Sequence, residues 1–417
     1  MTLPKLSVFL GACAVLVTVL SDQCAAEPLM EKTDLFVAGQ GGYRSYRIPS
    51  LVVTPNGSLL AFCEARQTGG DWGPIEILMR RSADGGKNWS EPKKMAEIEG
   101  PHRKNPAALA MKLAGPDAVT QNNPLLIADA KTGAVHLLFC HEYMRCFYRR
   151  SDDDGQTFSK SVEITAAFEP FRRHYDWKVL ATGPGHGVQL KSGRLIVPVW
   201  LSTGTGGGAH RPSVVTTLYS DDHGAKWQCG DIVAGETDPL VNPSEAEAIE
   251  LADGPVLLNM RSESKQNRRA IAVSPDGAAN WTRPALDDEL VEPICMASLC
   301  RLSKESPDGK NRILFANPAN LERAGGKAEP GKSRDRKNLT VRLSYDEAQS
   351  WPVAKTLESG PSAYSDLAVG PDGTIYCLYE RSSRIDNVFA PSLTLARFNL
   401  EWLTDGKDKL SATAAVR

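Results

Sequence analysis

Short stretches rich in apolar residues, several of them alternating with polar ones, recur along the whole chain. They are SLLAFCEAR (58–66), EILMRRS (76–82), AVHLLFCHEY (134–143), RLIVPVWLS (194–202), VLLNMRS (256–262), AIAVS (270–274), RILFAN (312–317), TVRLS (340–344) and TIYCLYERS (374–382). Their short length and two-residue alternation predict strands. Glycine, proline, asparagine and aspartate punctuate them, in PNGS, KTGA, KSGR and PDGT, as turns require. Long helical periodicities are scarce, so the pattern predicts an all-β chain.

A second pattern is laid over the first. Ser82-x-Asp84-x-Gly86-x-x-Trp89 returns in full as Ser220 to Trp227 and, with phenylalanine last, as Ser151 to Phe158. Ser82, Ser151 and Ser220 are each 69 residues apart (151 − 82 and 220 − 151). Two worn copies follow, Ser274 to Trp281 and Ser344 to Trp351, the latter with Ala348 in place of the glycine. Serine and aspartate accept hydrogen bonds from a turn's own backbone, glycine supplies a positive φ, and the ring at the end packs between strands. A calcium loop would need six or more oxygens, which one or two carboxylates per copy do not supply. Short strands in repeats of this length predict propeller blades, and six blades in 391 residues (417 − 26) take about 65 each.

The 26 residues subtracted are MTLPKLSVFLGACAVLVTVLSDQCAA, one lysine before an apolar run from Leu6 to Leu20 and a small-residue end. They read as a secretory signal peptide over residues 1–26, leaving one domain over 27–417 and a secreted or periplasmic protein with no stable membrane insertion. Loss of Lys5 and Asp22 cancels, so the net charge stays at −2, which argues against nucleic acid as a partner. Seven cysteines remain, an odd number that is no disulfide framework. Cys140 with Cys146, or Cys295 with Cys300, are candidates for local bridges in an oxidising compartment, the alternative for each being a small buried hydrophobe.

Function is carried by residues outside the repeats. Tyr46-Arg47-Ile48-Pro49 resembles the F/Y-R-I-P motif of the exo-sialidases (neuraminidases) of the six-bladed β-propeller type, and the resemblance runs from about Tyr43 to Trp402. It identifies the octets as that family's Asp-box turns, remote from the active site. It also implies three arginines gripping a substrate carboxylate: Arg47, Arg261 in LLNMRS, and Arg342 in LTVRLS directly before the last octet. Planar guanidinium forks bind a carboxylate bidentately, which lysine does not match.

The same resemblance implies Tyr364 as nucleophile, a neutral phenol being unrepelled by the substrate's own carboxylate. A phenol needs a base, assigned to Glu245 in NPSEAEAIEL, with Glu247 the next choice and Glu250 a plain strand residue. Asp71 matches the general acid/base; Trp72 beside it raises its pKa, nearby arginines lower it, and the sequence leaves that contest open. Glu64 and Glu380 resemble carboxylates that orient the first arginine, Asn123 resembles an asparagine that lies near the sugar, and His186 a pocket or structural residue. The implied activity is exo-α-sialidase hydrolysis of terminal sialic acids from a glycan, glycoprotein or glycolipid, by a monomer, with retention and with no metal or cofactor. The alternatives are a trans-sialidase or intramolecular trans-sialidase using the same pocket, and a non-catalytic propeller that binds sialosides.

Overall fold

The computed structural model describes residue 1 and residues 27–410, apart from 114, 305–307 and 386–387. The signal-peptide stretch therefore lies outside the described residues, Met1 excepted. Among those described, no helix is long and apolar enough to cross a membrane.

The fold is all-β in a propeller-like arrangement of antiparallel sheets taken in chain order. The first pairs Ser45–Val53, Leu59–Arg66, Ile75–Ser82 and Lys93–Lys94. The second runs from Gln121–Ala128 through Val135–His141 and Arg145–Ser151, with Gly185–His186 added in parallel at its inner edge. The third holds Leu195–Ser202 and Ser213–Ser220, and the fourth Ala246–Glu250, Val256–Met260 and Arg268–Ser274. The last is seven-stranded, from Ser298–Ser303 through the long Val353–Val369 strand to Val388–Phe398, closed by the N-terminal Met30–Phe36 strand.

The cores explain why the sheets stand side by side. Phe62 and Met79 of the first sheet share a core with Leu126 and Phe139 of the second. Leu138 of the second packs with Val197, Leu218 and Trp227 of the third, and Ile196 of the third with Leu258 of the fourth. Leu257 then meets Phe315, and Leu378 and Leu395 of the last sheet return to Leu51 and Ala61 of the first. Each sheet thus buries both faces against its two neighbours, so strands such as Leu59–Arg66 are covered along their whole length.

Each octet is a tight turn after the third strand of its repeat. Ser82 Oγ accepts from Gly86 N–H at 2.9 Å, and Asp84 Oδ1 accepts from Asn88 N–H at 2.9 Å. Ser151 with Asp153, Ser220 with Asp222 and Ser344 with Asp346 repeat both contacts. The copy at Ser274 is one residue tighter, Gly277 N–H reaching Ser274 Oγ at 3.0 Å. The carboxylates are occupied by their own turns, as the architectural reading requires.

Candidate active site

Four segments converge on the Tyr364 ring, which is 5% exposed. Arg47 is the third residue of the Ser45–Val53 strand, the first of the first sheet. Pro49 supplies no N–H there, Ile48 takes a φ of 57°, and the register slips between Arg47 and Ser50. Such a backbone is strained for a β-branched residue and is held by its surroundings: Ile48 N–H donates to Glu380 Oε1 at 3.1 Å, beside Arg47 Nε at 3.0 Å. Arg47 Nη2 reaches the other oxygen at 3.2 Å, so one buried carboxylate fixes both the strained turn and the guanidinium.

Arg261 follows the Val256–Met260 strand. Its Nη1 donates to Glu245 Oε2 at 2.6 Å and to Tyr364 Oη at 3.0 Å. The phenol in turn donates to Glu245 Oε1 in a very short hydrogen bond. Burial pushes the Tyr364 hydroxyl up, with Glu245 adding to it against Arg261, Arg336 and Arg47. Burial also opposes charge on Glu245, but Arg261 and the phenol's hydrogen bond outweigh it and hold its pKa below the ordinary value. The resting pair is thus a carboxylate beside a neutral phenol, a base already in contact with the proton it would take.

The third guanidinium is Arg336, not Arg342. Arg47 and Arg336 lie with their guanidinium carbons 5.1 Å and 5.3 Å from the centre of the Tyr364 ring. Arg336 Nη2 is tied to Ile294 O at 2.7 Å. Arg342 pairs across its sheet with Phe315 and Ala354, and its charged neighbours are Glu289, Asp287 and Arg268. The reason is topological. The Lys337–Ser344 strand starts at the site and ends at the octet turn, so Arg342 lies roughly 20 Å further along it than Arg336 at 3.3 Å per residue. A residue directly before the turn is at the wrong end of its blade.

Asp71 is at the mouth, its side chain 47% exposed. Arg66 Nη1 donates to it at 2.6 Å, and Arg47 Nη1 lies 3.7 Å away. Burial raises its pKa, yet Arg66 and Arg47 prevail and hold the carboxyl well below its usual range. Glu64 does not orient Arg47, although the two are register partners. It binds Arg66, two residues on along the same face, at 2.9 Å from Nε and 2.6 Å from Nη2, and accepts from Asn123 N–H at 2.8 Å. Asn123 is itself buried at a φ of 52°, with Nδ2 donating to Thr182 O at 3.2 Å. It braces the floor beneath Glu64, with its side-chain amide already engaged.

Glu247 and His186 sit one layer below. Glu245 and Glu247 are two apart along one chain segment, as are Tyr364 and Asp366 on theirs, so a second set lies under the first. His186 Nδ1 is 2.7 Å from Asp366 Oδ1 and 3.8 Å from Glu247 Oε2. Burial works against a charged imidazole there, but Glu247 and Asp366 push it up to about 10. Donor atoms of these three lie within 4.8 Å of one another, the spacing of a metal cluster. Asp366 is already filled by His186, Leu51 N–H and Ser298 Oγ and pairs with the imidazole; burial pushes the Glu247 carboxyl up, and its Oε2 has no hydrogen-bond partner among the described residues. Glu250, at the far end of its strand, accepts from Lys191 N–H at 3.0 Å.

One wall of the site is aromatic. Tyr143 lies 4.6 Å from Trp72 and 4.9 Å from His210, and His210 5.1 Å from Trp200, between ring centres. A cavity of about 70 Å³ opens there, lined by Trp200, His210, Asn242, Glu245 and Arg261. A wider groove of about 720 Å³ lies elsewhere, against Asp287, Glu289 and Ala348, and holds none of the groups around the phenol.

The BNR repeat-like domain family matches residues 110–377. Among characterised proteins, the chain is 32% identical over 403 residues to a sialidase of Micromonospora viridifaciens, covering 90% of this chain and 55% of that protein. It is 27% identical over 375 residues to a sialidase of Bacteroides fragilis (strain YCH46), covering 83% and 61%. The chain thus spans a little over half the length of these two relatives. It is also 26% identical to sialidase-3 of Rattus norvegicus, covering 85% of this chain and 91% of that one. Among solved structures, the Hadza microbial sialidase Hz136 superposes with a TM-score of 0.70 at 24% identity, over 89% of this chain and 69% of its own. The intramolecular trans-sialidase of Ruminococcus gnavus gives 0.69 at 18%, over 89% and 98%.

Proposed function

The chain belongs to the BNR repeat-like family and, within it, to the sialidases; from that premise we propose that it is a retaining exo-α-sialidase. The observation that carries the reading is the contact between Tyr364 Oη and Glu245 inside the Arg47, Arg261 and Arg336 guanidinium groups.

In this mechanism the three guanidinium groups hold the carboxylate that a sialic acid bears on its anomeric carbon. Glu245 takes the phenol proton as Tyr364 Oη attacks that carbon, and Asp71 protonates the departing glycosidic oxygen. Asp71 then removes a proton from water, which displaces Tyr364 and restores it. Asp71 is ionised in the empty site. A substrate carboxylate on Arg47 offsets one of the two cations that hold it so, which raises its pKa at the moment an acid is needed. The net outcome is retention, by two displacements at one carbon.

The proposal extends to the rest of the chain. The seven-stranded sheet reads as two blades that share the Val353–Val369 strand, which with the four other sheets makes six. Residues 1–26 act as an export signal, residues 27–417 form the propeller, and the protein works outside the cytoplasm on sialylated glycans as a monomer, without a metal.

Tyr364→Phe is the direct test. Hydrolysis of an aryl sialoside should fall by orders of magnitude while a sialic acid analogue still binds; undiminished turnover would remove the mechanism. Mass analysis of the released sugar, free, transferred or anhydro, separates hydrolysis from transfer.

A further inference from the structure

Two thiols face each other across the hairpin that carries Tyr143. Cys140 and Cys146 are direct register partners where the Val135–His141 and Arg145–Ser151 strands run antiparallel. Opposed residues in such a ladder alternate between pairs that exchange hydrogen bonds and closer pairs that do not. The backbone of Cys146 decides which kind this is. Its N–H donates to Thr165 Oγ1 at 3.0 Å, and its carbonyl accepts from Ile164 N–H at 2.9 Å. Both groups point away from Cys140, so the pair is the closer kind, with α-carbons about 4.5 Å apart. A disulfide spans α-carbons at about 4.4–6.8 Å.

The side chains agree with the backbone. Both cysteines are fully buried, and the Cys140 thiol lies 3.8 Å from Thr182 Oγ1. Burial, and then the neighbouring Cys140, push the Cys146 thiol up. The other strand cysteines face partners that offer no sulfur: Cys63 opposes Leu78, Cys229 Leu218, Cys300 Leu314, and Cys377 both Leu367 and Ala396. Cys295 is off the strands, its carbonyl taken by Arg269 Nη1 at 3.0 Å. The register thus sets no cysteine opposite Cys300.

We propose that Cys140 and Cys146 form a disulfide when the chain folds in the presence of a disulfide donor, either a small disulfide or a thiol oxidoreductase. One cysteine thiolate attacks the donor and releases half of it as a thiol. The second thiolate attacks the mixed disulfide and releases the other half, so two protons leave the cysteines and two electrons reduce the donor. Because both thiols are buried in the finished fold, the exchange belongs to folding. The bond closes a hairpin whose tip holds Tyr143 against Trp72 and His210, and so fixes the aromatic wall of the site.

Trypsin separates the partners by cutting after Arg145, leaving peptides 132–145 and 146–149. The full chain, produced in an oxidising compartment, is denatured in iodoacetamide without reductant and digested. The expected result is one linked species, two hydrogen atoms lighter than the two peptides together, which dithiothreitol splits into two alkylable halves. Recovery of both peptides alkylated without reductant would overturn the proposal, as would a link from either to another cysteine. Cys140→Ala gives a second readout that does not need the bridge to survive: Cys146 should then appear alkylated without reductant, and a Cys146 still blocked would equally overturn the pairing.

Discussion

Asp71 accepts a 2.6 Å hydrogen bond from Arg66 Nη1, and Arg66 is fully buried with its remaining fork on Glu64. This contact, more than the indole of Trp72, sets the charge of Asp71. It also reaches back through Glu64 to Asn123 N–H, so the mouth of the site is anchored in the second sheet. Removing the guanidinium should raise the Asp71 pKa, since a cation that favours the carboxylate is gone. In Arg66→Lys a cation remains but the Nη1 hydrogen bond is lost, so the limb of the kcat/KM profile that reports Asp71 should move slightly to higher pH, with kcat falling about 10–100-fold as the carboxyl loses its position. Arg66→Met should move it further, but leaves Glu64 buried and unpaired at a cost of about 3–5 kcal/mol, so a Glu64→Gln/Arg66→Met pair is the better-folded comparison. A lower activity with an unmoved profile would mean that Arg66 only supports the loop.

The two arginines at either end of the Lys337–Ser344 strand separate a functional role from a structural one. On the proposed mechanism, Arg336→Ala removes a charge-assisted contact to the substrate carboxylate and should lower kcat/KM by roughly 10²–10³-fold, from about 3–4 kcal/mol of lost interaction. Arg342→Ala should change kcat/KM by no more than about 2-fold, because its guanidinium faces Asp287 and Glu289. Parallel kinetics on a fluorogenic sialoside decide the matter, and the reverse ranking would return the third position to Arg342.

That pair also marks what the chain's residues disclose by themselves. The octets and outer strands are legible because their physics is local: a serine, an aspartate and a glycine within five residues build each turn. Arg47, Glu245, Asp71 and Tyr364 stand out through their neighbours in sequence. Arg336 does not, since KSRDRKN reads as a solvated charged loop and its partner Tyr364 is 28 residues further on (364 − 336). Glu64 stands opposite Arg47 across the hairpin, yet the arginine two places along its own strand face is nearer to its carboxylate. The layer of His186, Glu247 and Asp366 joins three sheets and has no local signature. The outcome at Asp71 was equally closed to sequence, because it depends on how close two guanidinium groups come.

The half-buried His186 should make stability depend on alkaline pH. Its charged form is favoured by Glu247 and Asp366, and its pKa is pushed up to about 10 in the fold against about 6.5 in the unfolded chain. A group with a raised folded pKa contributes stability that is fully present below the unfolded value and is lost as pH rises through the folded one. Besides the two carboxylates, the groups acting on this layer are Ser298 Oγ and Leu51 N–H on Asp366, the Arg269 guanidinium on Glu247, and the buried Cys300 and Cys377 thiols, both pushed up by burial and so outside the range. Denaturant midpoints should therefore fall between about pH 6.5 and 10. In His186→Gln they should start lower and stay flatter over the same window. A wild-type midpoint that is constant across it would mean that the imidazole is neutral in the fold.

Ala348 offers a change in the stabilising direction. It occupies the octet position that Gly86, Gly155 and Gly224 fill, with φ of 65° where those glycines have 84°, 77° and 85°. Its N–H still bonds Ser344 Oγ at 2.9 Å, so the turn is kept whole while an L-residue sits in the left-handed region. That conformation costs an alanine about 1–2 kcal/mol, and glycine relieves it at an entropic cost of about 0.5–1 kcal/mol. The alanine methyl also packs at the edge of the core around Phe315 and Trp351, which takes back a little more. Ala348→Gly should thus stabilise the chain by about 0.5 kcal/mol, read as a higher denaturant midpoint at unchanged m-value. Gly155→Ala should do the opposite and by more, since a β-carbon there would meet Leu60 Cδ1 and Cδ2 at 2.6 Å as well as the positive φ. Its cost should reach about 2–3 kcal/mol, and equal effects of opposite sign at the two sites would mean that backbone conformation alone, without the contact at Leu60, governs the turn.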